Sequence, residues 1–439
     1  MTMLDALRFH AKVDLLGKGV LRTQRWRDQQ KLNKPWNHEH VGPPLHSSAR
    51  LRELISRHYL IGQNAKPHRK VAWVTSGAPV EFLKALGYFL LYPENHGAVC
   101  GIRRVAVDLS SHAEQAGYSM DLCSYVRTDF GSLLSGMTPV GRLPRPDLLV
   151  CCTNICQTVL GWYRVLAHHF KVPLVLIDTP FLYRDAPEHA VEHVKRQIEE
   201  AIAVAERVAG QSLRPASLDK VSRLSRDACL LWMEILACGK HRPAPMTAFD
   251  QFIHLAPVVE MRGDQHTVDY YRGLLTELKQ RMAAGIGAVR DEKHRLLWDN
   301  LPVWYRVRWL SELFAENGMA LVASTYTNAW AELAPMMDPA RPLESAAQVY
   351  LHPILNRGTG HKLKTLSTMV RDYSVDGVVL HSDRSCKPYS VGQIDQREKL
   401  REQCGVPVLL LEADHNDSRA FADEPASNRL KAFFELLEN

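Results

Sequence analysis

Nothing in this chain reaches the eighteen or so uninterrupted apolar residues that a membrane-spanning helix needs. No transmembrane segment is therefore expected among its 439 residues. The opening stretch MTMLDALRFHAKVDLLGKG carries charges through its apolar part and has no small-residue cleavage site, so the expected location is the cytoplasm. A G-x-x-x-x-G-K-[ST] phosphate loop is missing, as is any other convincing nucleotide cradle, so ATP hydrolysis, if used, is expected on another polypeptide. There is no C-x2-C-x2-C ferredoxin run and no pair of C-x2-C zinc knuckles. The basic residues form no aromatic-interleaved stripe, so neither nucleic acid nor membrane is an expected partner. A net charge of +6 is a mild excess that would attract an anion such as a nucleotide or coenzyme A without selecting one.

What is present is the composition of a globular protein, 46% hydrophobic and 23% charged, in a chain too long for one core. Short runs rich in Val, Ile and Leu alternate with helical patterns, the signature of parallel βαβ units. The first strands are expected at Lys70–Thr75, Arg104–Leu109, Asp147–Cys152 and Pro173–Asp178, with helices around Pro79–Leu91, Ser111–Ala116 and Gln157–His169. A long helical region follows, in which Gly210 and Gly285 stand where helices should stop. Strands resume at Ala320–Ser324, Gly377–His381 and Val408–Glu412, with helices at Val303–Glu316, His361–Tyr373 and Val391–Gln403 and an amphipathic closing helix. The expected fold class is α/β, two doubly wound parallel-sheet domains joined by a helical region. The expected division is an N-terminal arm over 1–65, a first α/β domain over 66–190, a helical connector over 191–300 and a second α/β domain over 301–439.

The nine cysteines are an odd number in a long chain, which speaks against a disulfide framework. Ligands of open α/β sheets bind beyond the carboxyl ends of the strands, and that rule sorts the thiols. Cys156 follows the strand DLLVCC at a helix entry, and Cys386 follows GVVLHS, again before a helix. Cys123 lies in a loop able to reach the same edge. Cys151 and Cys152 fall inside a strand, Cys229 and Cys238 in helical segments, Cys404 in a helix-to-strand turn and Cys100 in a Gly-rich connection, and these six read as packing. By spacing alone, the first three are either core thiols or ligands drawn from three loops. Ser385, Ser390 and the run Ser324–Thr327 sit at strand ends too, where they are either N-caps or ligand contacts. Glu412, Asp414 and Asp417 read as a solvated turn, and His38, His40, His168 and His169 as ordinary histidines.

At these residues the chain resembles the 2-hydroxyacyl-CoA dehydratase and benzoyl-CoA reductase superfamily. CSYVR at Cys123, NIC at Cys156 with Trp162 beyond it, and SDRSCKPYSVGQ at Cys386 look like the three ligand segments of that family. MRGDQHTVDYYRGLLTEL, EKHRLLWDNLPVW, ALVASTYT and LLEADHNDSRAF look like its reductase branch, in particular the B-type subunit of ATP-dependent (class I) benzoyl-CoA reductases. The resemblance implies two flavodoxin-like domains and a [4Fe–4S] cluster on Cys123, Cys156 and Cys386 with one iron left open. It also implies a homologous second catalytic subunit, ATP-hydrolysing activator subunits and ferredoxin as the electron source. The implied reaction is the ATP-coupled reduction of an aromatic acyl-CoA to a cyclic dienoyl-CoA. Two alternatives share the same cysteines: an (R)-2-hydroxyacyl-CoA dehydratase subunit that expels water through a ketyl radical, and an electron-transfer protein with a larger double-cubane cluster. No proton-donating or other catalytic side chain is singled out.

Overall fold

A computed structural model describes residues 3–438 and contains two four-stranded, wholly parallel sheets. The first is built from β1 (Val71–Val74), β2 (Phe89–Leu91), β3 (Leu148–Cys152) and β4 (Leu174–Ile177), in the order β2-β1-β3-β4. The second is built from β5 (His294–Asp299), β6 (Met319–Ser324), β7 (Gly377–Asp383) and β8 (Val408–Ala413), in the order β6-β5-β7-β8. Both sheets thus wind in the same order, and the expected class of two doubly wound domains joined by helices is the observed one. VAWV, LLVCC and MALVAS are buried at every position because helices cover both faces of each sheet.

Three sequence expectations are corrected. Arg104–Leu109 is not a strand: Arg104 takes a positive φ of 60°, and a helix runs over Ala106–Gln115. Its buried residues Ala106, Leu109, Ser110 and Ala113 have helical spacing, so the period of 3.6 outweighed a β-branched run. The helix expected over Pro79–Leu91 is only Glu81–Ala85; Gly87, at φ +81°, turns the chain into the edge strand β2. Strand β5 was not anticipated, because its apolar core RLLW is short and flanked by charges.

Between the sheets lie long helices at Glu188–Ala209, Pro215–Ala237 and Gln265–Ala283. Gly210 caps the first in the left-handed conformation, and Gly285 takes φ +66° one residue beyond the cap of the third. Ahead of β1 are helices at Met3–His10, Lys18–Leu32 and Ser47–Gln63. Among the described residues, no helix is long and apolar enough to cross a membrane.

The helix Ser124–Ser135 is almost wholly buried and ties the halves together. Its Arg127, 2% exposed, pairs with Glu114 at 2.6 Å and with Asp417, beyond β8, at 2.8 Å. A Cβ on Gly131 would stand 1.7 Å from the Leu109 carbonyl oxygen, so this helix crosses Ala106–Gln115 at backbone contact.

Candidate functional site

Side chains converge at the carboxyl edge of a parallel sheet because every strand ends there. Both sheets turn that edge toward one cavity of about 180 Å³. Ser76, Glu94 and Cys156 follow β1, β2 and β3, while Leu301, Tyr326, Cys386 and His415 follow β5, β6, β7 and β8, and all line it. Trp162, Trp330 and Val259 make much of the remaining wall apolar.

The three singled-out cysteines, Cys123, Cys156 and Cys386, all line this cavity. Cys123 is the N-cap residue of Ser124–Ser135, and Cys156 stands two residues ahead of Thr158–Phe170. The positive end of the second helix faces the Cys156 sulfur. Backbone N–H groups of Thr158 and Val159 serve the Cys156 sulfur, and that of Tyr389 serves Cys386. Against them, burial pushes the Cys156 thiol up to about 11, with the neighbouring Cys123 adding to it. Burial raises Cys386 well above its ordinary value as well, followed by Asp383 and the other two sulfurs. Three sulfurs gathered this closely ionise together only if a positive centre binds them. A metal cluster fits this donor set: thiols from three loops, amide donors aimed at two of them, and an apolar surround.

The other six cysteines stay away from the cavity. Cys151 and Cys152 are fully buried in β3; Cys100, in the helix Pro93–Ile102 rather than a connection, is buried, as are Cys229 and Cys238. Cys404 is half-buried at the end of its helix. Of Ser324–Thr327 only Tyr326 reaches the cavity: Ser324 caps a helix, Thr325 donates to Asp299 and Thr327 to Gln251. Ser385 lines it, whereas the Ser390 hydroxyl donates to the Asp383 carbonyl at 2.9 Å.

The acidic loop after β8 is a correction: Asp414 and Asp417 are buried rather than in a solvated turn, while Glu412 is exposed within β8 and pairs with Arg384 at 2.7 Å. Asp414 accepts from the Ser385 hydroxyl at 2.6 Å and from the Asn416 and Asp417 amides. Asp383 accepts backbone N–H groups of Ser385 and Cys386 at 3.1 and 3.2 Å, and its other oxygen takes the His415 Nδ1 at 2.7 Å. The second nitrogen of His415 lies 2.9 Å from the Ser124 hydroxyl and 3.9 Å from the Cys123 sulfur. Burial works against a charge on His415, but Asp383 and Asp414 outweigh it and hold the ring protonated. Asp383, Asp414 and His415 lie close enough to suggest a metal site of their own. Their ligand atoms are already occupied by these hydrogen bonds, which makes them a brace linking the Cys386 loop to Cys123.

Glu94 was missed in the sequence because it lay beyond an expected helix; the signal was Pro93-Glu94 just past a strand end. It is 7% exposed, and burial raises its carboxyl to about 7. One oxygen accepts the Ser76 amide at 3.0 Å and the other has no partner among the described residues. Behind Trp162, whose indole N–H donates to Asp129 at 2.7 Å, burial likewise raises that carboxyl to about 7. The site can therefore gather three thiols and, beside them, hold a proton on a carboxyl aimed into a mostly apolar space.

Residues 75–437 match the family described as 2-hydroxyglutaryl-CoA dehydratase, D-component. The chain is 30% identical to the (R)-2-hydroxyisocaproyl-CoA dehydratase alpha subunit of Clostridioides difficile, over 88% of this chain and 95% of that one. It is 28% identical to the (R)-phenyllactyl-CoA dehydratase alpha subunit of Clostridium sporogenes, over 88% and 94%. To the B-type subunit of benzoyl-CoA reductase from Thauera aromatica it is 27% identical, over 89% and 94%.

Proposed function

The chain belongs to the 2-hydroxyglutaryl-CoA dehydratase D-component family, and from that premise we propose that it is the iron–sulfur catalytic subunit of an enzyme acting on an acyl-CoA. Cys123, Cys156 and Cys386 would hold a [4Fe–4S] cluster, and the observation that carries this is their convergence on one cavity from three loops. Bound there, such a cluster supplies single electrons at low potential. The chain's own residues do the rest. Trp162, Trp330 and Val259 keep water from the acyl group, and Tyr125 and Tyr326 offer aromatic faces to a flat substrate. Glu94 keeps its proton near neutrality and presents it from the β2 edge, steadied by the Ser76 amide.

The activity we infer is the ATP-coupled reduction of an aromatic acyl-CoA to a cyclic dienoyl-CoA, a reaction that takes up protons beside a buried carboxyl. ATP hydrolysis would fall to activator subunits fed by ferredoxin, and a homologous second catalytic subunit would complete a hetero-oligomer in the cytoplasm. The dehydratase reading has its own support in the two alpha subunits at 30% and 28% identity. Assaying the anaerobically assembled complex with benzoyl-CoA and with (R)-2-hydroxyacyl-CoA separates the two: turnover of the hydroxyacyl substrate alone refutes the reductase.

The cluster itself is tested by iron and sulfide content with electron paramagnetic resonance. Cys123→Ser, Cys156→Ser and Cys386→Ser should each remove the normal signal, and Cys404→Ser should not. About four irons per chain fits a single cubane, and about eight a double one. Retention of the signal in all three variants would refute the assignment.

A further inference from the structure

A second cavity, of about 580 Å³, opens at the other edge of the first sheet, under the amino ends of β1 and β2. Arg57 and His58 reach it from the helix Ser47–Gln63, Arg69 from just before β1, Lys84 from the end of Glu81–Ala85 and Lys220 from Pro215–Ala237. Among the described residues, none of Arg57, Arg69, Lys84 and Lys220 has a carboxylate within ion-pair distance, and no side-chain hydrogen bond is made by Arg57, Lys84 or Lys220. Two acids face them. Glu260 is 3% exposed, accepts from Tyr59 at 3.4 Å, and is held by burial at about 7, so it is partly neutral. Asp264 caps the helix Gln265–Ala283 by accepting the His266 amide at 3.0 Å. Four cations thus face two acids, one of them partly neutral, and positive charge is left in excess; burial lowers Lys84 to about 8, although Asp264 pulls it the other way. The floor is different in kind. Phe89 is buried and tilted against His58 at 4.9 Å, and in front of it the half-buried Val221 and Leu224 give an apolar wall beside the cations.

We propose that this cavity binds a nucleotide anion, with its phosphates on Arg57, Arg69, Lys84 and Lys220 and its base against the apolar wall of Val221 and Leu224. Charge-assisted contacts from Arg and Lys suit phosphate, and the volume lies in the ordinary range for small-molecule sites, roughly 300–1,000 Å³. The ligand is either a free adenine nucleotide or the nucleotide end of a coenzyme A thioester; only the second source rests on the function proposed above. No hydrolysis is implied.

Isothermal titration calorimetry on the full chain tests this with ADP, 3′-phospho-ADP, coenzyme A and inorganic phosphate, in the unaltered protein, Arg57→Gln and Lys84→Met. The nucleotides should bind, and each variant should weaken them by about tenfold or more, the loss expected for a charge-assisted contact. Coenzyme A binding as tightly as 3′-phospho-ADP, with the same loss in the variants, assigns the site to the coenzyme. Binding of ADP without coenzyme A assigns it to a free nucleotide. Hydrogen exchange gives a readout that needs no variant: nucleotide should protect the segments 84–90 and 260–265. Absence of nucleotide binding, equal affinity in both variants without such protection, or inorganic phosphate binding as tightly as the nucleotides would overturn the proposal.

Discussion

Because burial holds the Glu94 carboxyl at about 7, its replacement by Gln acts on stability and on activity in opposite directions. Below pH 4.5, the ordinary value of the group, folded and unfolded chains both keep the proton and burial carries no penalty. As the pH rises to about 7, the unfolded chain ionises while the folded one resists. The penalty grows to about 3 kcal/mol and stays there at higher pH. Glu94→Gln should therefore unfold later than the parent at pH 8, match it below pH 4.5, and lose most of its turnover; denaturant titrations at the two pH values with an activity assay check all three. The residue scale also marks the limit of sequence reading. Cys156 and Cys386 were legible because each follows an apolar run and precedes a helix. Glu94 and His415 were not: one lay beside an expected helix that ends early, and the other's role depends on Asp383, which only folding brings to it.

At the scale of elements, glycines fix how closely backbones approach. A Cβ on Gly77, in the loop after β1, would stand 2.5 Å from the Asn154 side chain and 2.7 Å from that of Ile155. Asn154 donates to the carbonyls of Gly77 at 2.8 Å and Tyr350 at 2.7 Å, so it pins the loop that carries Cys156. Gly77→Ala should push that loop aside, costing about 1–3 kcal/mol and lowering iron incorporation, whereas Gly161→Ala, which meets open space inside the helix Thr158–Phe170, should leave iron incorporation unchanged and stabilise by about 0.5–1 kcal/mol. Thermal unfolding with iron analysis on both variants decides it. Elements were predictable where periodicity ran long, as in Glu188–Ala209, or where an apolar run was fully buried, as in LLVCC. They failed at Arg104–Leu109 and at β5, where windows of about six residues carry both periods at once.

At the scale of the whole molecule, the halves are joined by charge as well as by apolar contact. Arg127 is buried between Glu114 and Asp417, and Arg419 pairs with the same two carboxylates. Burial alone would raise Asp417, but its hydrogen bonds from Arg419 and Arg127 win and hold it at about 2. Arg127→Met leaves that carboxylate short of one partner in a buried place and should destabilise the protein by about 3 kcal/mol at pH 7. The stability that Asp417 contributes is present above pH 3.8 and is lost as the pH falls through about 2, so the difference between parent and variant should shrink in strong acid; unfolding curves across that range measure it. The architecture was foreseen as two α/β units, yet the sequence offered no sign that both sheets aim their carboxyl edges at one point. That arrangement has a consequence for biogenesis. Cys123 and Cys156 emerge from the ribosome well before Cys386 and the strand β8 behind it. A cluster carried on all three thiols cannot be inserted while only the first half of the chain has been made. It must be delivered after the second sheet has emerged and both halves have closed on each other.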